Sequence, residues 1–128
     1  MKITKVEVMA TNVPFRGSEG NTGEIALGKW ELCRFVIVKV HTDEGIVGYG
    51  ESAPFARLSP LGQKPIIDVL IDYVAPSVIG LDPFNTEEIW KAMDRATPDN
   101  AQAKGAVDMA LYDIMGKKTG QPACNFLG

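Results

Sequence analysis

The sequence lacks any basic run longer than Lys117-Lys118 and carries a formal net charge of −3, with a pI near 5.1. Nucleic acids are held chiefly through their phosphates, so this balance removes them as expected partners. Only two cysteines occur, Cys33 and Cys124, with no second pair at metal-ligand spacing. That excludes a disulfide framework or a cysteine zinc site, and both thiols read as buried. The single histidine, His41, excludes a multi-histidine metal centre and a cysteine–histidine pair backed by a third group. His41 shares strand parity with Lys39, which predicts an exposed surface imidazole. Ser18, Ser52, Ser59 and Ser77 have no nucleophile-elbow context, so serine hydrolase chemistry is not indicated. No stretch approaches the roughly 20 apolar residues that span a bilayer. Residues 2–8 alternate polar and apolar, unlike a signal peptide. No membrane partner is expected, and the cytoplasm is the default location.

What is present suits one globular domain. A chain of 128 residues, 45% hydrophobic and 23% charged, can bury about two-thirds of the surface its unfolded form exposes. Residues 2–13 place Ile3, Val6 and Val8 at strand-like intervals. Leu32–Thr42 puts Val36, Val38 and Val40 on one face, and residues 46–52 form a third run. Thr42-Asp43-Glu44-Gly45 between the last two is a turn, with Asp for local hydrogen bonds and Gly for positive φ. Helical spacing follows: Ile66, Ile67, Leu70, Ile71 and Val74 form one stripe, and Pro76 is expected to end that helix at Ala75. Asn85 can cap the next helix, with Glu88 reaching back and Phe84 packing on Ile89; its apolar face is Ile89, Trp90 and Met93. A last helix should run from about Asp99 to Lys118, ended by Gly120 and Pro122. The class is therefore α+β, a three-stranded antiparallel meander followed by three to four helices.

The last helix has two apolar stripes. One is Ala103, Ala106/Val107, Ala110/Leu111 and Ile114; the other is Gly105, Met109, Tyr112 and Gly116. A helix apolar on two sides is expected to be covered on both, either by neighbouring helices of its own domain or by something further. Two long irregular segments remain, residues 14–30 and 53–64. In an up-down-up meander both leave from one end of the sheet. Their Phe15, Arg16, Ile25, Leu27, Pro54, Phe55 and Arg57 then form either a recognition edge or a solvated loop pair.

Catalytic constellations are missing from this reading. Gly48-Tyr49-Gly50-Glu51-Ser52-Ala53 matches a loose dinucleotide fingerprint, yet the glycines lie within a strand after a hairpin, where they mark a bulge or a close backbone contact. Asp108 and Asp113 fall on different faces of one helix and read as structural hydrogen-bonding or salt-bridge groups. Glu51 closes the third strand, either facing a site or held in an ion pair.

Taken in order, the run from Val38 through Thr42-Asp43-Glu44-Gly45 to Gly48-Tyr49-Gly50-Glu51 resembles the hairpin signature of the mandelate racemase and muconate lactonizing enzyme branch of the enolase superfamily. Gly80-Leu81-Asp82-Pro83-Phe84 with Glu88-Ile89-Trp90 is similar to that family's second-helix entry. The run from Ala106 to Lys117 is similar to its last capping-domain helix, where Trp is common at the position of Tyr112. The resemblance implies an amino-terminal capping domain whose partner, a C-terminal (β/α)8 barrel of about 200 residues or more, lies outside this chain. It implies that a barrel lysine or histidine removes the proton α to a carboxylate in a small substrate. A magnesium ion held by barrel acids would stabilise the enediolate, leaving no catalytic or metal-binding residue in this chain. It further implies a homo-oligomeric racemase, epimerase, cycloisomerase or dehydratase, whose two capping loops correspond to residues around 15–29 and 52–62 and set specificity. The isolated chain is then expected to be inactive. The alternative is a free-standing binding or oligomerisation module that keeps the capping fold.

Overall fold

Alternation in the second predicted strand dictates the architecture. Val36, Val38 and Val40 are fully buried, and they give the sheet one inner face that helices must cover. The computed structural model describes residues 1–14, 24–25, 28–29, 32–54 and 62–127. Strand β1 (Ile3–Pro14) pairs antiparallel with β4 (Leu32–Thr42), which pairs antiparallel with β5 (Val47–Ser52), in the order β1-β4-β5. Between β1 and β4 lies a short ladder that the sequence reading did not anticipate, β2 (Glu24–Ile25) against β3 (Gly28–Lys29). The β4–β5 turn takes Gly45 at φ +79°. There the Thr42 hydroxyl accepts from Ile46 N at 3.1 Å and donates to Ile46 O at 2.9 Å. Asp43, expected to serve this turn, instead accepts the backbone N–H of Lys2 at 2.8 Å.

Helix α1 (Gln63–Val69), a π turn (Leu70–Val74) and α2 (Ala75–Val78) run on from one another. The helix therefore passes Pro76 and does not end at Ala75. A proline ring clashes with the carbonyl four residues back. The π turn, closed by Ala75 N bonding to Leu70 O, lengthens the backbone loop just ahead of the ring and relieves that clash. The inserted turn also keeps Ile66, Leu70, Val74 and Val78 on the buried side.

Helix α3 (Thr86–Ala96) begins at Asn85, but the Asn85 side chain makes no backbone cap; its amide donates to the Glu88 carboxylate at 2.7 Å. Phe84 stays 43% exposed, whereas Ile89 and Met93 are fully buried. Helix α4 (Ala101–Thr119) ends at Gly120, whose φ of +68° is the left-handed conformation predicted there. A 3-10 turn (Ala123–Phe126) completes the described chain.

Helix α4 lies directly on β5. A Cβ on Gly50 would stand 2.9 Å from the carbonyl carbon of Ala106, and one on Gly48 would stand 2.6 Å from Ile114 Cγ1. The strand glycines thus mark a close backbone contact, one of the two structural meanings expected of them. Two residues of strand advance about as far as four of helix, so Gly48 and Gly50 meet Ala110 and Ala106 in matched steps.

Candidate functional site

The two long segments start from one end of the sheet. Strand β1 leaves at Pro14, which is paired with Leu32 at the entrance of β4. Strand β5 leaves at Ser52, which is paired with Val36. Four β1–β4 pairs, Thr11–Phe35 to Pro14–Leu32, continue past the point where β5 stops. At the usual rise they form a two-stranded arm projecting about 13 Å. The first segment therefore springs from the tip of the arm and the second from its base.

Gln63, which the sequence reading passed over, ties the second segment to that base. Its amide nitrogen donates to Phe35 O at 2.7 Å and to Thr11 O at 3.3 Å, so the segment that leaves at Ser52 returns to the root of the arm. A glutamine at the first position of a helix gives no pattern by which its cross-sheet partners could be read. Pro54 is buried at the outgoing root. Ser52 is also buried, and its hydroxyl has no hydrogen-bond partner among the described residues. Ile25 lies in β2, paired with Gly28. Phe15, Arg16, Leu27, Phe55 and Arg57 lie outside the described residues. Because α4 runs antiparallel to β5, the positive end of its dipole also lies at this end, a sign that suits a carboxylate.

The carboxylates elsewhere hold structure together, as expected for Asp108 and Asp113. Asp108 Oδ1 accepts the indole N–H of Trp90 at 2.8 Å, joining α3 to α4. Asp113 Oδ2 accepts the backbone N–H of Tyr49 at 2.8 Å and the Lys117 ammonium at 2.6 Å, while Lys117 also donates to Val47 O at 2.7 Å. Helix α4 thereby occupies edge groups of β5 with side chains, which blunts the edge against strand addition. Glu51 is exposed and in register with Ile37, on the face turned away from α4.

Three further findings differ from, or were absent from, the sequence reading. His41 is only 31% exposed and lies with its Nε2 3.6 Å from Glu7 Oε2, because the cross-strand neighbours of a long sheet shield it. Cys33 is half-buried and Cys124 exposed, since Cys124 falls on the 3-10 turn after the last helix and not in the core. Lys104 is 4% exposed, its ammonium bound to Asp94 at 2.6 Å and to Thr97 O at 3.3 Å. It clamps a turn in which Asp99 and Asn100 both take positive φ.

Two carboxyls titrate below their ordinary range. Glu44 is held down first by its hydrogen bond from Lys118 and also by the charges of Lys118 and the Met1 ammonium. Glu7 is held down first by its hydrogen bond from Lys5 and then by the charges of Lys5 and His41. Both pairs lie away from the loop end and bear on stability.

Residues 5–128 match the family model described as the mandelate racemase / muconate lactonizing enzyme, N-terminal domain. The chain belongs to this family. The N-succinyl-L-Arg/Lys racemase of Bacillus cereus is 36% identical over 128 residues, all of this chain and 34% of that protein. The cis-3-hydroxy-L-proline dehydratase of Roseibium aggregatum is 34% identical over the same span, again 34% of its length. The crystal structure of a dipeptide epimerase from Enterococcus faecalis, complexed with magnesium and the dipeptide L-Leu-L-Tyr, superposes with a TM-score of 0.90 at 36% identity, covering all of this chain and 35% of that one. The chain thus spans about a third of the length of these relatives, and the (β/α)8 barrel that the resemblance implied is no part of it. Among the described residues no three His, Cys, Asp or Glu side chains come together in a way that could hold a metal ion. No chemical step is therefore assigned to a metal on the described residues.

Proposed function

We propose that this domain selects the substrate and closes the active site of a magnesium-dependent enzyme that removes a proton α to a carboxylate: a racemase, epimerase, cycloisomerase or dehydratase. The observation that carries this reading is the common origin of the two long segments, one at the tip and one at the base of a projecting arm. Segments rooted that close together can descend jointly over a neighbouring mouth, exclude water and contact the part of the substrate distant from the reacting carbon. The reacting groups then belong to the barrel. The racemase, epimerase and dehydratase named above support a carboxylate-bearing amino acid derivative or dipeptide as the substrate class. A cytoplasmic, homo-oligomeric enzyme remains the expectation.

The test uses the polypeptide from the complete reading frame, assayed against a panel of N-acyl amino acids and dipeptides with magnesium. Replacing Phe55 by Ala should change the ratio of kcat/KM between a bulky and a small substrate by about tenfold, while the melting temperature moves little. An unchanged selectivity profile would refute the assignment of the second segment. Residues 1–128 alone should show no turnover, and activity abolished by a point substitution within them would overturn the division of labour.

A further inference from the structure

The sheet changes width at one residue pair. Strand β5 ends at Ser52, opposite Val36 of β4, so Thr11–Phe35 is the first β1–β4 pair without a third strand beside it. Side chains of α4 hold Tyr49 N and Val47 O at the outer edge of β5, which turns the backbone groups of Gly48, Gly50 and Ser52 toward β4. Their partners Val40, Val38 and Val36 therefore bond to β5, and the alternate residues of β4, Phe35 among them, bond to β1. Thr11 and Phe35 thus form a hydrogen-bonded pair whose two carbonyls lie between the strands. The Gln63 amide nitrogen donates to both carbonyls, at 3.3 Å for Thr11 and 2.7 Å for Phe35.

Among the described residues little else holds the arm. Beyond that pair Asn12, Val13, Pro14, Leu32 and Arg34 are exposed and Cys33 is half-buried. Burial therefore does little to fix it, and a lone two-stranded ribbon is marginal in water. Gln63 is the one described side chain bonded to the arm's backbone. Its own base is firm, because Gln63 opens α1 and Ile66, one turn on, is 1% exposed in the core. A primary amide carries two N–H donors on one nitrogen, which is what two neighbouring carbonyls require. Leverage makes the position matter: a tilt of about 10° at the root carries the tip of an arm of about 13 Å through about 2 Å.

We propose that Gln63 is a positioning residue, which fixes the angle of the arm on α1 and so governs selectivity for the part of a substrate remote from its reacting carbon. The inference rests on the reading of this domain as the one that selects the substrate. Gln63 touches no reacting atom and acts through the arm. One long segment springs from the tip of that arm and the other returns at Gln63, so a single amide sets their roots relative to each other. Misplacement by about 1 Å, far from the chemistry, can cost about a hundredfold in rate. A bulky substrate, which meets more of the displaced element, loses more than a small one.

The experiment uses the polypeptide of the complete reading frame carrying Gln63→Met, which keeps the length of the side chain but donates nothing, and Gln63→Ala as a second variant that a helix start tolerates. Hydrogen–deuterium exchange is followed by mass spectrometry. Residues 11–13 and 32–35 should exchange about five- to tenfold faster in both variants, while residues 36–41 and α4 keep the wild-type rate. With magnesium present, the ratio of kcat/KM for L-Leu-L-Tyr over that for L-Ala-L-Ala should fall by about tenfold. The melting temperature should stay within about 2 °C of wild type. Wild-type exchange in the arm would overturn the proposal. Faster exchange with an unchanged ratio in an active enzyme would also overturn it, because the tie would then be structural alone, and so would exchange that rises throughout the sheet with a fallen melting temperature. The two readings fail separately. A longer protein that turns over no member of the substrate panel sinks the catalytic reading, and the exchange comparison still decides whether Gln63 holds the arm; an active enzyme whose variants exchange like wild type sinks the assignment of Gln63 alone.

Discussion

Replacing Gly50 by alanine tests the closest contact in the fold. The added Cβ would lie 2.9 Å from the Ala106 carbonyl carbon, 3.1 Å from Ala110 N and nearer still to Ala106 O. Carbon atoms rest at about 3.5–4.0 Å, so relief requires α4 to rise by about 1 Å, a gap that forfeits a quarter to a half of each contact it opens. The obstacle is backbone and cannot rotate away. Overpacking typically costs about 1–3 kcal/mol, and a rigid obstacle belongs at the upper end. The lower entropy of the unfolded alanine chain returns about 0.4–1 kcal/mol. The net loss should be about 2–3 kcal/mol, a large share of the roughly 5–15 kcal/mol of a typical domain. Urea unfolding followed by far-UV circular dichroism should show the midpoint falling by about 1–2 M, given the usual dependence for small proteins. Gly105→Ala is the matched control. With open space around it, it should stabilise the 128-residue chain by up to about 1 kcal/mol. A Gly50→Ala protein within about 0.5 kcal/mol of wild type, the ordinary spread for surface changes, would refute the reasoning.

Other substitutions probe the helices and the termini. Asp108→Ala should destabilise by about 1–2 kcal/mol because it strands the Trp90 indole N–H, and Asp108→Asn, which keeps an acceptor, should recover most of that in the same urea assay. Asp94→Ala should cost about 2 kcal/mol by leaving the Lys104 ammonium buried without its anion, whereas Lys104→Met should be nearly neutral because the remaining Asp94 is 60% exposed. Equal losses for these two would contradict the asymmetry. The folded-state pKa of Glu44 is depressed, so its stabilisation is present above the ordinary carboxylate range and is lost as pH falls through the depressed value. Glu44→Gln should therefore flatten the acid limb of a plot of melting temperature against pH, and an unaltered limb would count against the Lys118 and Met1 contacts.

Much of the fold was legible because one periodicity governs each element. Alternation around Val36, Val38 and Val40 gave β4 its residues and its inner face, and Gly45 and Gly120 sit at the two left-handed positions where glycine was read as a turn and a stop. Pro76 misled because the rule that a proline ends a helix assumes an unbroken α-helix ahead of it, and the π turn removes that assumption. Within the candidate site, the shared origin of the two segments followed from strand order alone. The tie made by Gln63 did not, since its partners Thr11 and Phe35 lie 52 and 28 residues away.

Local preference and hydrophobic spacing, carried by the sequence, determined the strands, the helices, the meander and the motifs that point to the family. Tertiary structure alone decided which residues became indispensable. Gly48 and Gly50 matter because α4 presses its backbone on theirs, Asp108 because the Trp90 indole reaches it, and Lys104 because the helices close over its ammonium. Such roles are set by distances between segments remote in the chain, and short-range pattern carries no information about those distances.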